Sequence, residues 1–225
     1  MSKYIKLIFI VIAITSCGKK FLDRQSEYYS NKKDAYSSLQ GLQSALNGCY
    51  DGLQDYRYYG RNFILIPEIY ADNAKLSSTN LNNFSSFYNF SITAGTSELE
   101  GLWEIGYKII SRTNNIIDAS NKLSNVSYSQ KKQIIGEAYA IRALIYFDMI
   151  RIFAQTYGIT SGIDSANGAG NHVGIPLIVK SLNEDSLISP SRDKVKQIYT
   201  QIINDLNKAD TMLPNVNTEP YTFSS

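Results

Sequence analysis

The side chains with the most evident chemistry in this chain are rings and amides set side by side. Tyr56, Tyr58 and Tyr59, then Phe84, Phe87, Tyr88 and Phe90, are interleaved with Asp72, Asn73, Asn82, Asn83 and Asn89. Flat apolar faces beside carboxylate and amide groups suit sugars, whose C–H faces stack on rings while their hydroxyls exchange hydrogen bonds. Tyr58, Asp72, Asn73, Tyr88 and Asn89 are the candidate ligand-binding residues on this reading. The alternative use of the same rings is to pack loops onto helices. Tyrosine is the compositional outlier, 17 against 9 Phe and 1 Trp, and composition alone does not separate the two uses.

Catalytic sets are scarce by comparison. His172 is the single histidine and sits in a Gly/Asn-rich stretch, which leaves Ser-His-Asp, Cys-His and multi-histidine zinc arrangements without their parts. The run Asp164-Ser165-Ala166-Asn167-Gly168 resembles the start of a calcium loop, but Ile175 stands where the bidentate glutamate belongs. Gly168 and Gly170 lack the strand-turn-helix order of a phosphate-binding loop. Glu137, Asp148 and Asp205 fall on helical patterns near Arg142 and Arg151, and ion pairs within a bundle are their expected role. No catalytic residue, metal or cofactor is expected. The net charge of +2 includes Lys3 and Lys6 of the leader, and the scattered charge gives no basic stripe for nucleic acid.

A different chemistry is expected at Cys17. Lys3 and Lys6 precede an apolar run from Leu7 to Ile14, and Ile14-Thr15-Ser16-Cys17 fits a bacterial lipobox. The run is shorter than the ~20 apolar residues that span a bilayer. Residues 1–16 are therefore expected to be a cleaved signal, with Cys17 lipidated and residues 17–32 forming a tether. Acyl chains contribute about 0.8 kcal/mol per buried methylene, so two or three hold a protein durably on a membrane. Gly18, rather than an aspartate, follows the cysteine, which points to the outer membrane. Cys49 has no partner cysteine and is expected to be a small buried residue on a helix.

The elements that must position these residues are helices. Ala35, Leu39, Leu42, Ala45, Leu46, Cys49 and Leu53 recur at helical spacing, predicting a helix from about Lys33 to Gln54. The stretch from Tyr56 to Thr96 loses that period and is expected to be irregular and surface-facing. A long helix is predicted from Ser97 to about Leu123, with Ser97 and Glu100 as a capping box, and a second from Ser127 to Phe153, with Ser127 and Gln130 as another. The short connection makes the pair an αα-hairpin. Residues 158–174 read as loop and Gly174 to Val179 as a short extended piece. A final helix is predicted from Ser191 to Leu213, ending at Pro214. Its apolar face has no following partner to cover it.

The helices carry a family resemblance. Gly136-Glu137-Ala138, Arg142-Ala143 and Tyr146-Phe147-Asp148 resemble the G-E-A-x-x-x-R-A-x-x-Y-F-D helix of the SusD/RagB lipoproteins. In the same order, Phe21-Leu22-Asp23 after Cys17, Trp103 to Tyr107 with Arg112 and Asn114, Gly174-Ile175-Pro176-Leu177, and Arg192, Val195, Tyr199, Ile202, Asp205-Leu206 resemble the family's other motifs. The resemblance implies a mainly α fold of tetratricopeptide-like helical hairpins with long irregular loops, spanning residues 33–225. It further implies a non-catalytic, surface-exposed outer-membrane protein that binds glycans, or sometimes peptides, and serves a TonB-dependent SusC-like transporter. Asp72 falls where the family often has an aspartate near its binding face. Family members are longer, so the chain reads as an N-terminal portion, incomplete at its C-terminus. The alternative is a helical scaffold that binds only the transporter protein.

Overall fold

In the computed structural model the described residues are 35–79, 83–158, 169–182 and 189–214. Cys17, the 17–32 tether, Asn82 and the Asp164 to Gly168 run lie outside them. The fold is mainly α: α1 spans Leu39–Gln54, α2 Asn62–Tyr70, α3 Ser85–Tyr88, α4 Ser97–Lys122, α5 Tyr128–Phe153 and α6 Val195–Met212. Among the described residues the only extended pairing is an antiparallel bridge between Val173 and Lys194. No helix of the described residues is long and apolar enough to cross a membrane.

Helix starts follow local chemistry where a neighbour does not compete for it. The first helix begins at Leu39 rather than Lys33, because Ser38 is extended and its Oγ accepts the Gly41 N–H at 3.0 Å. At α5 the predicted capping box forms, with the Ser127 N–H donating to Gln130 Oε1 at 3.1 Å. The box predicted at Ser97 and Glu100 does not. Thr96 is the N-cap of α4, its Oγ1 accepts the Thr93 N–H at 3.0 Å, and Ser97 turns its hydroxyl to Glu98. The last helix begins at Val195 rather than Ser191. Residues 193 to 196 are held by an earlier turn instead, with Gly174 N–H to Asp193 O at 2.6 Å, Asp193 N–H to Ile175 O at 3.1 Å and Val195 N–H to His172 O at 3.0 Å.

Side-chain contacts give the helix directions. Arg112 of α4 donates to Gly48 O of α1, while Gly52 of α1 faces Ile109, so α1 and α4 are antiparallel. Gly106 of α4 meets Met149 of α5 while Asn114 meets Arg142, so α4 and α5 form the expected hairpin. Gly136 lies against Leu213 while Arg142 reaches Asp205, so α6 runs back along α5. Two glycines permit these approaches. A Cβ on Gly52 would lie 2.8 Å from Ile109 Cγ1, and one on Gly106 would lie 2.6 Å from Met149 Sδ. The main core joins Leu42, Leu46, Leu102, Ile109, Ile116, Ile141, Ile145, Met149 and Ile198. Every residue from Ile134 to Ala143 is buried, Glu137 and Arg142 included, because α5 is packed by neighbours on several sides.

The interior also holds charge. Arg142, 3% exposed, makes a bidentate pair with fully buried Asp205, with Nε to Oδ2 and Nη2 to Oδ1 both at 2.7 Å. Its Nη1 donates to Asn114 Oδ1 at 2.7 Å and to Val179 O at 3.2 Å. Asn114 Nδ2 passes the connection on to Ile178 O and Lys180 O, and the Tyr146 hydroxyl both donates to Ile178 O and accepts from Ile178 N–H. The Tyr107 hydroxyl donates to Pro176 O, Asp193 accepts the Leu177 N–H and Asp118 accepts the Ser181 N–H. Residues 174–182 thus form a strap fastened across α4 and α5.

Two outcomes follow from this interior. Asp205→Ala leaves a buried guanidinium unpaired and is expected to lower stability in urea by about 3–5 kcal/mol, whereas Arg142→Met with Asp205→Leu recovers most of that loss. Cys49 is fully buried and its thiol is pushed up to about 12 by burial, against the charge of Arg112. Peptide-resolved alkylation at pH 8 should leave Cys49 unlabelled in the native chain and label it in denaturant.

Candidate functional site

The segment from Tyr56 to Thr96, expected to be irregular and surface-facing, has its own small core. Ile69 of α2 packs with Phe84 and Phe87, with Leu65, Ile66, Ala74, Leu76 and Leu99 around them. Asn62 at the start of α2 is buried, and its Nδ2 donates to Glu98 O at 3.3 Å. The Glu98 carboxylate accepts the Phe84 N–H at 2.8 Å. The first turn of α4 thereby anchors both short helices, and the C-terminal ends of α2 and α3 come together at the surface.

Both ends close in the same way. After α2, the Asn73 N–H donates to Glu68 O at 2.9 Å and the Asp72 N–H to Ile69 O at 3.1 Å, with Asp72 left-handed at φ 61°. After α3, the Ser91 N–H donates to Ser86 O at 2.8 Å and the Phe90 N–H to Phe87 O at 3.3 Å, with Phe90 left-handed at φ 53°. These are two Schellman closures in which the left-handed position, usually glycine, carries Asp and Phe. A left-handed residue with a Cβ costs about 1–2 kcal/mol, and a bulky ring there is rarer than Asp. Phe90 is 65% exposed, so packing offsets little of that cost. Its ring stands 5.1 Å from the ring of Tyr70, tilted by 52°, and Tyr70 is itself half exposed.

The expected ligand residues divide around this pair. Asp72 and Asn73 follow Tyr70, while Tyr88 and Asn89 precede Phe90, and all four are exposed. Asn73 Nδ2 donates to Glu68 Oε2 at 3.2 Å. Tyr58 does not belong with them. It is fully buried in the main core, and its hydroxyl donates to Asp148 Oδ2 at 3.0 Å. The residues that sequence reasoning left out are Tyr70 and Phe90. Phe90 was visible as one ring of a crowd, but its left-handed backbone has no sequence signal. Arg61 lies between two further rings, with its Cζ 4.8 Å from the Tyr56 centroid and 5.2 Å from that of Phe84.

The loop that carries Tyr58 is tied to α5 by a carboxylate. Asp148, 3% exposed, accepts from both Tyr58 and Tyr59, so its partners are hydroxyls and not the arginines expected for it. Glu137 likewise accepts from Tyr50 at 2.7 Å and Gln133 at 3.0 Å. Of the expected ion pairs, Arg142 with Asp205 forms. Burial raises the Asp148 carboxyl above the usual carboxylate range, and the hydrogen bonds from Tyr59 and Tyr58 and the charge of Arg151 only partly oppose it. His172 is buried, with Nε2 3.0 Å from Gln155 O. Among the described residues no group of three metal-ligating side chains comes together.

Known proteins resemble the chain over most of its length. Residues 20–225 match a SusD-like family model described as starch-binding associating with outer membrane. A SusD-like protein of Bacteroides ovatus is 28% identical over 220 residues, which is 93% of this chain and 35% of that protein. A SusD superfamily crystal structure from Bacteroides thetaiotaomicron superposes with a TM-score of 0.68 at 25% identity, covering 83% of this chain and 39% of the other. A laminarin-binding SusD-like protein has the same fold, with a TM-score of 0.60 at 22% identity, covering 87% of this chain and 38% of its own. The chain thus spans little more than a third of the length of these relatives.

Asp148 gives a pH dependence of known sign. Because its folded pKa is raised, the folded state keeps this proton to higher pH than the unfolded chain does. Its contribution to stability is full below the ordinary carboxylate value of 3.8 and declines as pH rises through the folded pKa. Asp148→Asn removes that decline. In paired urea titrations, the stability of the variant relative to the native chain should therefore rise from acid toward neutral pH.

Proposed function

The chain belongs to the SusD-like family, and we propose that it is the glycan-capturing part of an outer-membrane lipoprotein, anchored by acyl chains on Cys17. Residues 1–16 are the cleaved signal and 17–32 the tether, on this reading. The sugar lies against Tyr70 and Phe90, with Asp72, Asn73, Tyr88 and Asn89 supplying hydrogen bonds at its edges. The protein captures without cleaving, and it hands the glycan to a TonB-dependent SusC-like transporter.

The observation that carries the reading is Phe90. A bulky ring held in a left-handed conformation, mostly exposed and packed only against the half-exposed Tyr70 ring, lowers stability with little packing in return, and strain of this kind collects at ligand sites. Tilted rings about 5 Å apart present a shallow angled floor, on which successive sugar faces stack. The backbone of the flanking closures is fixed by hydrogen bonds, so little backbone ordering is needed on binding.

Calorimetric titration against a glycan panel tests the proposal, with laminarin as one probe because a protein of this fold binds it. Phe90→Ala and Tyr70→Ala should each weaken binding roughly two- to tenfold. Phe90→Gly separates function from stability, since it relieves the left-handed strain. It should raise stability by up to about 1 kcal/mol while weakening the glycan. A glycan affinity indifferent to both rings would sink the site, and no binding to any glycan would favour a scaffold that contacts only the transporter.

A further inference from the structure

Arg61 carries a charge that the fold orients without neutralising. Its Cζ stands over the exposed Tyr56 ring and over the buried Phe84 ring, and its Nε donates to Asn62 Oδ1 at 3.0 Å. Asn62 is itself buried and tied to the Glu98 carbonyl. Two rings and one hydrogen bond therefore hold the guanidinium in place. Among the described residues its two Nη groups have no acceptor and form no ion pair.

The neighbouring arginine shows the opposite arrangement. Arg57 also stands over Tyr56, at 5.9 Å, but Asp55 accepts from its Nε at 3.0 Å and its Nη2 at 2.9 Å, and Glu104 accepts from its Nη1 at 3.2 Å. Glu98, the carboxylate that joins Phe84 to α4, is engaged by the Phe84 N–H and the Ser97 hydroxyl. The local acids thus have partners other than Arg61. Arg61 and Phe84 directly precede α2 and α3, so this site lies at the starts of the two short helices, where the α2 dipole is positive. Tyr70 and Phe90 stand at their ends. Roughly 14 Å along α2 separates Arg61 from Tyr70.

We propose that Arg61 receives the acidic group, a carboxylate or a sulfate ester, of an anionic glycan. The proposal rests on the glycan-capture reading and adds the class of glycan. With its faces on rings and its Nε occupied, the guanidinium offers its Nη edge, and that planar fork matches a pair of acidic oxygens in two parallel charge-assisted hydrogen bonds. Stacking on Tyr56 and Phe84 keeps the fork from swinging away when no anion is bound. The rest of the glycan continues toward Tyr70 and Phe90.

The test titrates the full chain with glycans in matched pairs, galacturonate oligosaccharides against their methyl esters and sulfated galactan oligosaccharides against the desulfated chains. The two pairs tell a carboxylate from a sulfate. In at least one pair the acidic member should bind about tenfold more tightly, with an advantage that shrinks as salt is raised. Arg61→Gln should abolish the advantage, and Arg61→Lys should keep only part of it, because lysine lacks the planar fork. Tyr56→Leu should reduce it by removing one of the two plates. Helical content by circular dichroism confirms that each variant is folded. Phe90→Ala should weaken both members of a pair and leave their ratio unchanged. Equal affinity within every pair, tighter binding of the neutral members, or an acidic preference that survives Arg61→Gln overturns the proposal. An acidic preference that is lost in Arg61→Gln while Phe90→Ala changes nothing supports Arg61 and removes the ring platform instead. Absence of binding to every glycan overturns both.

Discussion

A guanidinium in the middle of a helical bundle has to be neutralised where it stands, and in this protein that requirement organises the fold. A buried ion costs several kcal/mol unless a counter-ion and hydrogen bonds satisfy it. Arg142 on α5 is met by Asp205 on α6, by Asn114 on α4 and by the Val179 carbonyl of the strap. An apolar seam between two helices tolerates sliding by a turn, because leucines and isoleucines are interchangeable at that scale. A bidentate pair between two planar groups does not. The pair therefore fixes the register of α6 on α5, and Asn114 carries the same register into α4 and the strap. The pair limits the alternatives more than it adds net stability, since apolar replacement of both partners costs far less than removal of one.

How much of this was legible in the sequence depended on the distance between partners. The long helices were visible from their period, and the Ser127 cap formed because both of its partners lie within one turn. The cap expected at Ser97 is displaced by one residue, because Thr96 takes the N-cap position with Thr93 as its partner and the Ser97 hydroxyl turns to Glu98. The late start of α6 has a longer-range cause, because residues 193 to 196 pair with a turn some twenty residues earlier. Tyr58 was the plainest misreading. One ring among Tyr56, Tyr58 and Tyr59 looks like the others in sequence, and only Asp148, 90 residues away, decides that Tyr58 faces inward while Tyr56 faces water.

The family motifs now have physical meanings, and nearly all concern the scaffold. Arg142 and Tyr146 of the central helix, Asn114 and Tyr107 of α4, the Gly174 to Leu177 turn and Asp205 are joined through the strap in one network of hydrogen bonds, while Asp148 ties the Tyr58–Tyr59 loop to α5. A residue that serves that network has no group left to offer a ligand. These residues therefore mark the fold without marking what is bound.

The proposed ligand platform rests on a different set of contacts, and this separation has a consequence. Tyr70 and Phe90 project from a small core of Ile69, Phe84 and Phe87 that is distinct from the main one. It joins α4 through Leu99, Asn62 and the Glu98 carboxylate, remote in sequence from the Arg142 network. Substitutions without shared partners add independently, so the rings can change without disturbing the register of the bundle. The reverse does not hold. Asp148 fixes the Tyr58–Tyr59 loop from which α2 departs, and a shift of α5 would move the start of the platform's first helix. Exposed residues at the helix ends can therefore vary while the buried network stays constant, an arrangement that lets one scaffold carry different surfaces.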